Sequence, residues 1–127
     1  MILYLTFGTS DLARAGRFYD PVLAALGYVQ LRAGKEDFGY GMPGDTEPRF
    51  WIVTPYDGQP ASRGNGTMLA LTAPTRAAVD AFHAAALANG GSDEGKPGLR
   101  PWSANFYACY VRDPEGNKLS AVCDKPV

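Results

Sequence analysis

The chain has 127 residues, of which 46% are hydrophobic and 20% are charged, and this is typical of one compact domain rather than a disordered chain. Twelve Lys and Arg residues against thirteen Asp and Glu residues leave a formal charge of -1, so the chain has no overall positive field to attract nucleic acid. No apolar run reaches the roughly 20 residues that a membrane-spanning helix needs. The N-terminus enters a strand-like pattern without a signal peptide. We therefore expect a cytoplasmic protein that binds neither nucleic acid nor membrane.

Cysteine and histidine are scarce. Cys109 and Cys123 are expected to be reduced and buried, because two thiols in a chain of this size usually behave as small hydrophobic residues. His83 is the single histidine, and it falls on an alanine-rich helical pattern, where we expect a boundary residue without chemistry. Histidine is the commonest metal ligand and general base near neutral pH. A single copy therefore excludes most mechanisms that use several histidines.

The first half of the chain predicts strands around one helix. Residues 2–7 favour a strand with Tyr4 and Thr6 on one face, because branched and aromatic residues alternate there. Ser10 and Asp11 are typical helix caps, and apolar residues recur at helical spacing until Gly27, which predicts the end of the helix. Three further strands are predicted at 28–31, 38–42 and 50–54.

The second half predicts the same order of elements. Residues 58–66 are rich in Gly, Pro, Ser and Asn without periodicity, and they form the best internal boundary. A strand at 67–72, a helix at 74–89 and a hairpin at 106–123 follow, and the hairpin turns at Asp-Pro-Glu-Gly-Asn. Asp93 and Glu94 lie in a polar stretch that predicts a solvated loop, as does the pair Glu36 and Asp37.

A shift of about 64 residues overlays strand on strand and helix on helix, which indicates an internal repeat. We predict an α+β fold of two tandem βαβββ modules in a single domain, 1–127. Module one spans about 1–57, the connecting loop about 58–66 and module two about 67–127. Each module is too small to bury a core alone. We expect the sheets of the two modules to curve towards each other and form a curved mixed sheet around a cavity, with the helices outside.

The segments that carry a family resemblance span nearly the whole chain. They are LTFGTSDLARAGRFYDPVLAALGY at 5–28, RAAVDAFHAAALANGG at 76–91, GLRP at 98–101 and FYACYVRDPEGNKLSAVC at 106–123. In these segments the chain resembles the vicinal oxygen chelate superfamily, which includes glyoxalases, bleomycin resistance proteins and extradiol dioxygenases. The most diagnostic segment is the C-terminal hairpin with its DPEGN turn.

The resemblance implies a metal centre in the cavity, held by His and Glu side chains from the first and last strands of each module. The corresponding positions fall at Tyr4, Met68 and Ser120, with the fourth near Ile52. A catalytic divalent metal needs imidazole or carboxylate donors with open coordination positions. A phenol, a thioether, a hydroxyl and a hydrocarbon do not supply them. We therefore expect no metal and no other cofactor.

The predicted cavity is lined instead by aromatic rings, a thioether and hydroxyls. A hairpin register that pairs Arg112 with Lys118 places Tyr110 opposite Ser120. Arg100 is expected in a loop that crosses the cavity mouth, where it is suited to clamp a ligand carboxylate. The alternative for Arg100 is an ion pair with a surface acid. The predicted ligand-binding residues are Tyr4, Trp51, Met68, Arg100, Trp102, Tyr110 and Ser120. The alternative is that these side chains fill a closed core.

Three functions remain open from sequence. The first is a metal-free protein that binds a small apolar or aromatic ligand. The second is an enzyme: a metal-dependent, glyoxalase-like lyase or a dioxygenase with non-standard ligands, or a metal-free enzyme that uses Tyr4 or Tyr110 as an acid. The third is an interaction module with a closed cavity. A homodimer is expected in each case, because two-fold dimers are the commonest assembly of soluble proteins.

Overall fold

The computed structural model describes all 127 residues as two βαβββ modules in tandem, as predicted. Module one consists of β1 (Leu5–Gly8), α1 (Leu12–Ala24), β2 (Val29–Ala33), β3 (Asp37–Gly41) and β4 (Phe50–Val53). Module two consists of β5 (Met68–Thr72), α2 (Arg76–Ala88), β6 (Ser92–Leu99), β7 (Tyr107–Arg112) and β8 (Lys118–Cys123).

Each module forms its own four-stranded mixed sheet. The strand orders are β1-β4-β3-β2 and β5-β8-β7-β6. The first and last strands of each module pair in parallel, and the remaining neighbours pair antiparallel. The α+β class and the tandem modules are confirmed. The two sheets are not hydrogen-bonded to each other, and β1 and β5 each lie at an edge of their sheet.

The two helices occupy equivalent places in the repeat. Asp11 caps α1 by accepting a hydrogen bond from the backbone N–H of Arg14 at 3.0 Å, and Thr75 caps α2 in the same way from Ala78. Shifting the bounds of α1 by 64 residues gives the bounds of α2. Gly27 and Gly90 follow the helices at φ of 88° and 96°, a left-handed conformation that favours glycine.

One hydrophobic core joins the two modules. A single cluster of 19 buried residues includes Phe18 of α1 and Phe82 of α2, which the repeat makes equivalent. A Cβ at Gly91 would lie only 2.6 Å from the edge of the Phe18 ring. The helix α1 therefore packs closely against the chain that leaves α2. The modules thus depend on each other for burial, as their size requires.

The polar part of the joint is the DPEGN turn between β7 and β8. Asp113 is buried and accepts hydrogen bonds from the Tyr19 hydroxyl at 2.5 Å and from the backbone N–H groups of Glu115 and Asn117, both at 2.9 Å. The Asn117 side-chain amide donates to Asp113 at 2.9 Å and to the Gly8 carbonyl at 3.1 Å. One carboxylate therefore closes its own turn and holds α1 of the other module.

Glu115 adds a second link from the same turn. Its Oε1 accepts hydrogen bonds from the Ser10 backbone N–H at 2.7 Å, the Thr9 hydroxyl at 3.1 Å and the Arg14 guanidinium at 2.7 Å. All three donors lie where β1 passes into α1. The turn sequence that is diagnostic of the family thus has a structural role in this chain.

Two predictions about local structure are wrong. The polar stretch with Asp93 and Glu94 is not a solvated loop but belongs to β6, where Asp93 pairs with His83 at 2.8 Å and Glu94 with Arg112 at 2.6 Å. β6 lies at a sheet edge and contains two register shifts, so its sequence lacks the alternation of a half-buried strand. β1 starts at Leu5, so Tyr4 precedes the strand in which we expected it.

Replacing Tyr19 with Phe tests the joint between the modules. The loss of the Asp113 hydrogen bond is expected to lower the free energy of unfolding by about 1–3 kcal/mol at pH 7. Burial, followed by the Asp113 charge and hydrogen bond, raises the pKa of Tyr19 well above its usual value. The stability that Tyr19 contributes is therefore fully present below the unfolded tyrosine pKa of about 10, and it is lost as the pH rises above that value. Urea unfolding between pH 7 and 11 measures both effects.

The matched control is Tyr56→Phe, because Tyr56 is fully exposed. The Tyr19→Phe protein should lose less stability between pH 9 and 11 than the parent. It should still lose some, because burial also raises the pKa of Tyr40. Equal stability of the Tyr19→Phe and Tyr56→Phe proteins at pH 7 would contradict the assigned role of Asp113.

Candidate functional site

A cavity of about 720 Å³ lies on the face of the module-one sheet that points away from α1. Thr6, Trp51 and Val53 point into it, while their strand neighbours Phe7 and Ile52 point into the core. The alternation of strand side chains therefore creates the core on one face and the cavity on the other. The complete lining is Ile2, Leu3, Tyr4, Thr6, Asp37, Asp45, Thr46, Glu47, Pro48, Arg49, Trp51 and Val53.

The loop at 42–49 folds over this sheet and forms one wall of the cavity. Gly39 of β3 makes the close approach possible, because a Cβ there would lie 2.5 Å from the Pro48 ring and 2.9 Å from the Trp51 ring. Both rings thus rest on bare backbone. Sequence analysis predicted only the strands on either side of this loop and missed its contribution to the cavity.

The rim of the cavity is acidic. Asp45 binds Arg49 at 3.0 Å, and the hydrogen bond from this guanidinium holds the pKa of the Asp45 carboxyl below its usual value. Glu47 lies 3.6 Å from Arg32 in an exposed pair. Asp37 begins β3 and has no salt-bridge partner. The prediction that Asp37 lies in a solvated loop is wrong, since its carboxylate reaches the cavity.

A second group of predicted residues lies on the equivalent face of module two. The hairpin register is confirmed: Arg112 pairs with Lys118, and Tyr110 pairs with Ser120. Ser120 is fully buried, and its hydroxyl has no hydrogen-bond partner. The Arg100 guanidinium lies 5.4 Å and the Lys118 ammonium 5.5 Å from the centre of the Tyr110 ring. These distances are within the range of cation–π attraction.

The predicted site residues therefore form two groups instead of one. Tyr4 and Trp51 line the module-one cavity, and Arg100, Tyr110 and Ser120 cluster on module two.

The other predicted positions lie outside these two groups. Met68 lies on the edge strand β5, and Trp102 lies in the exposed loop after β6. Ile52, the approximate fourth ligand position, lies in the core, and Trp51 is its neighbour that faces the cavity.

Both fold and sequence match a known superfamily. The sequence model of the Glyoxalase/Bleomycin resistance protein/Dioxygenase superfamily matches residues 1–120. A glyoxalase/bleomycin resistance protein from Albidiferax ferrireducens is 40% identical over 97% of both chains and superposes with a TM-score of 0.85. The chain belongs to the glyoxalase/bleomycin resistance protein/dioxygenase superfamily.

More distant members of the superfamily share the fold. A glyoxalase-related enzyme from Fulvimarina pelagi is 21% identical, with a TM-score of 0.75 over 97% of this chain and 87% of its own. A glyoxalase I variant from Zea mays is 20% identical, with a TM-score of 0.68 over 95% of this chain and 45% of its own. No curated protein sequence matches the chain.

The residues at the superfamily's metal positions do not fit a metal centre. No group of three or more His, Cys, Asp or Glu side chains is placed to hold a metal ion. The positions that the family resemblance implies for the ligands carry Tyr4, Met68 and Ser120, and the strand neighbour of Ser120 is Ala70. A phenol, a thioether and a hydroxyl do not form the N/O donor set that catalytic divalent metals require. We therefore derive no step through a metal.

Two further expectations concern cysteine and membranes. Cys109 and Cys123 are both free and buried, and burial raises the pKa of the Cys109 thiol to about 11, so it is a poor nucleophile near neutral pH. None of the helices combines the length and the apolar character needed to cross a bilayer.

Gly39→Ala tests the structure of the cavity floor. The added methyl group collides with Pro48 and Trp51, so we expect a loss of about 1–3 kcal/mol in unfolding free energy and a shift of Trp51 fluorescence, measured in a Trp102→Phe background. Gly8→Ala is the control, because a Cβ there would lie 3.4 Å from Ala61, an ordinary contact. Unchanged stability and emission in the Gly39→Ala protein would show that the loop does not pack on the sheet as described.

Proposed function

We propose that the protein binds a small, flat, largely apolar ligand without a metal or other cofactor. The observation that carries this proposal is the module-one cavity, in which Trp51 and Tyr4 lie beside polar groups and which holds no histidine. Its volume of about 720 Å³ lies within the usual range of ligand pockets. Trp51 is only partly buried, so its ring has a free surface on which a ligand can stack.

The polar lining supports orientation of such a ligand. The Thr6 hydroxyl donates and accepts hydrogen bonds, and the unpaired Asp37 carboxylate accepts them. The other two carboxylates of the rim are already engaged with Arg49 and Arg32. Affinity would then come from stacking and shape, and orientation from one or two hydrogen bonds.

The proposal also includes a second copy of the chain. Ile2 and Leu3 are each 82% exposed, Tyr4 is 54% exposed and Met68 is 42% exposed. They lie on or beside β1 and β5, whose outer edges are unpaired. Leu5 and Leu71 also line a small apolar pocket of about 190 Å³ between the modules. Exposed apolar side chains beside unpaired strand edges favour association, and a two-fold homodimer covers both edges with one interface.

The cellular setting is proposed to be the cytoplasm, with no nucleic acid or membrane partner. The two buried free thiols and the net charge of -1 support this proposal.

Ligand binding is tested by titrating a panel of flat aromatic compounds while following Trp51 fluorescence in a Trp102→Phe background. We expect saturable quenching by at least one compound, and at least a tenfold weaker Kd in the Trp51→Leu protein, measured by calorimetry. A tenfold change corresponds to about 1.4 kcal/mol, the order expected for a lost aromatic stack. Thermal unfolding of each variant verifies that it is folded.

The same samples distinguish the alternative enzyme, a metal-dependent lyase or dioxygenase with non-standard ligands. We expect no bound metal after purification without an affinity tag, and no change in Tm on addition of nickel, zinc, manganese or ferrous ions. Near-stoichiometric metal, or a shift specific to one metal, would overturn the metal-free proposal. Quenching that is unaffected by Trp51→Leu would show that the ligand binds elsewhere.

The homodimer is tested by light scattering after gel filtration. We expect the mass of two chains at micromolar concentration, and a shift towards the monomer in the Leu3→Asp protein because a charge at the covered edge opposes burial. Leu87→Asp is the matched control, since Leu87 is similarly apolar and exposed but lies on α2. A monomeric parent, or equal masses for both variants, would contradict the proposed interface.

A further inference from the structure

We infer that the module-two face binds the anionic group of an organic ligand, a carboxylate or a phosphate, at a subsite formed by Arg100, Lys118, Tyr110 and Ser120. The inference rests on the proposed function and adds the chemical class of its ligand. The subsite lies on a different module from Trp51, so the two can be tested separately.

The two cations of the subsite have no acidic partner. None of the five ion pairs in the structure includes Arg100 or Lys118. Glu94 and Lys118 interact electrostatically, but Glu94 is bound to Arg112 at 2.6 Å. The charges of Glu94 and Arg112 offset each other. Two positive charges therefore remain in excess around Tyr110.

The backbone of β6 positions the Arg100 side chain. Its guanidinium donates to the Lys96 carbonyl at 2.6 Å and to the Leu99 carbonyl at 3.4 Å. A Cβ at Gly95 or Gly98 would lie 3.3 Å or 3.1 Å from the guanidinium nitrogens, so the side chain rests on two glycines. A guanidinium has five N–H donors in a fixed geometry. Three of them remain for a ligand oxygen.

The Tyr110 ring lies close to both the Lys118 ammonium and the Arg100 guanidinium. The ring is within 5.5 Å of both positive groups, and its π-face partly offsets their mutual repulsion. An anion beside the ring would offset the remainder. Attraction between an anion and two fixed cations is strongest where water is partly excluded, and Arg100, Tyr110 and Lys118 are all partly buried.

Ser120 supplies an unused hydrogen-bonding group at the same register position. It lies directly opposite Tyr110, is fully buried and has no partner for its hydroxyl. A buried hydroxyl without a partner destabilises a protein, because it has lost its hydrogen bonds to water. The oxygen of an anionic ligand would provide the missing acceptor once the side chains that cover Ser120 move aside. The exposed Ala70 and Met68 on β5 lie beside Ser120 and Lys118, which favours an organic body over a bare ion.

The test compares benzoate and phenyl phosphate with the neutral benzamide and with inorganic phosphate, by calorimetry at low ionic strength. We expect at least one aromatic anion to bind tenfold or more tightly than benzamide and than inorganic phosphate. The better of the two anions identifies the headgroup. Arg100→Gln and Lys118→Gln should each weaken anion binding at least fivefold without changing benzamide binding. Arg17→Gln is the control, because Arg17 is exposed on α1 and should have no effect.

Ser120→Ala separates a binding role from a structural role. Removing an unsatisfied buried hydroxyl should leave the free protein equally or more stable, whereas anion binding should weaken. Equal binding of benzoate, phenyl phosphate and benzamide would overturn the inference, as would equal effects of Arg100→Gln and Arg17→Gln. In either case the Trp51-dependent binding of neutral aromatic compounds can still hold. Conversely, anion binding that depends on Arg100 and is unaffected by Trp51→Leu would overturn the proposed function and leave the anion subsite supported.

Discussion

The buried carboxylate of Asp113 is the interaction on which the rest of the structure depends. It accepts hydrogen bonds from its own turn and from Tyr19 of the other module, so one charged group fixes both a local hairpin and the packing of two repeats. A buried charge without partners would strongly destabilise the fold. The joint is therefore specific in geometry, and the shared core forms around it, with Phe18 and Phe82 at equivalent positions. Both open sheet faces take their positions from this joint.

The two open faces differ in charge although the repeat makes them equivalent in the fold. Module one carries Asp37, Asp45 and Glu47 around an aromatic floor. Module two carries Arg100 and Lys118 around a single ring. No group of three or more His, Cys, Asp or Glu side chains is placed on either face to hold a metal ion. Fold and function are separable in this way because the core is built from one face of each strand and the site from the other.

Prediction from sequence succeeded where local chemistry dictates conformation. The hairpin register agrees with the one predicted across the DPEGN turn, and α1 begins after the predicted cap Asp11 and ends before the predicted stop Gly27. It failed for β6, since an edge strand with Pro97 and two register shifts shows no alternation. It also failed for the loop at 42–49, whose position depends on Gly39 of another strand. The residue pattern within the loop therefore does not predict that contact.

The sequence by itself determined the class of fold, the tandem modules and the absence of an imidazole cluster, because these follow from periodicity, capping residues and the count of one histidine. Only the tertiary structure decided that the predicted site residues divide between two faces, and that the sheets remain separate with free edges at β1 and β5. It alone placed Arg100 and Lys118, 18 residues apart, against one ring. The physical reason is that the charge of a site depends on distances between side chains from different strands, and those distances are set by packing rather than by order along the chain.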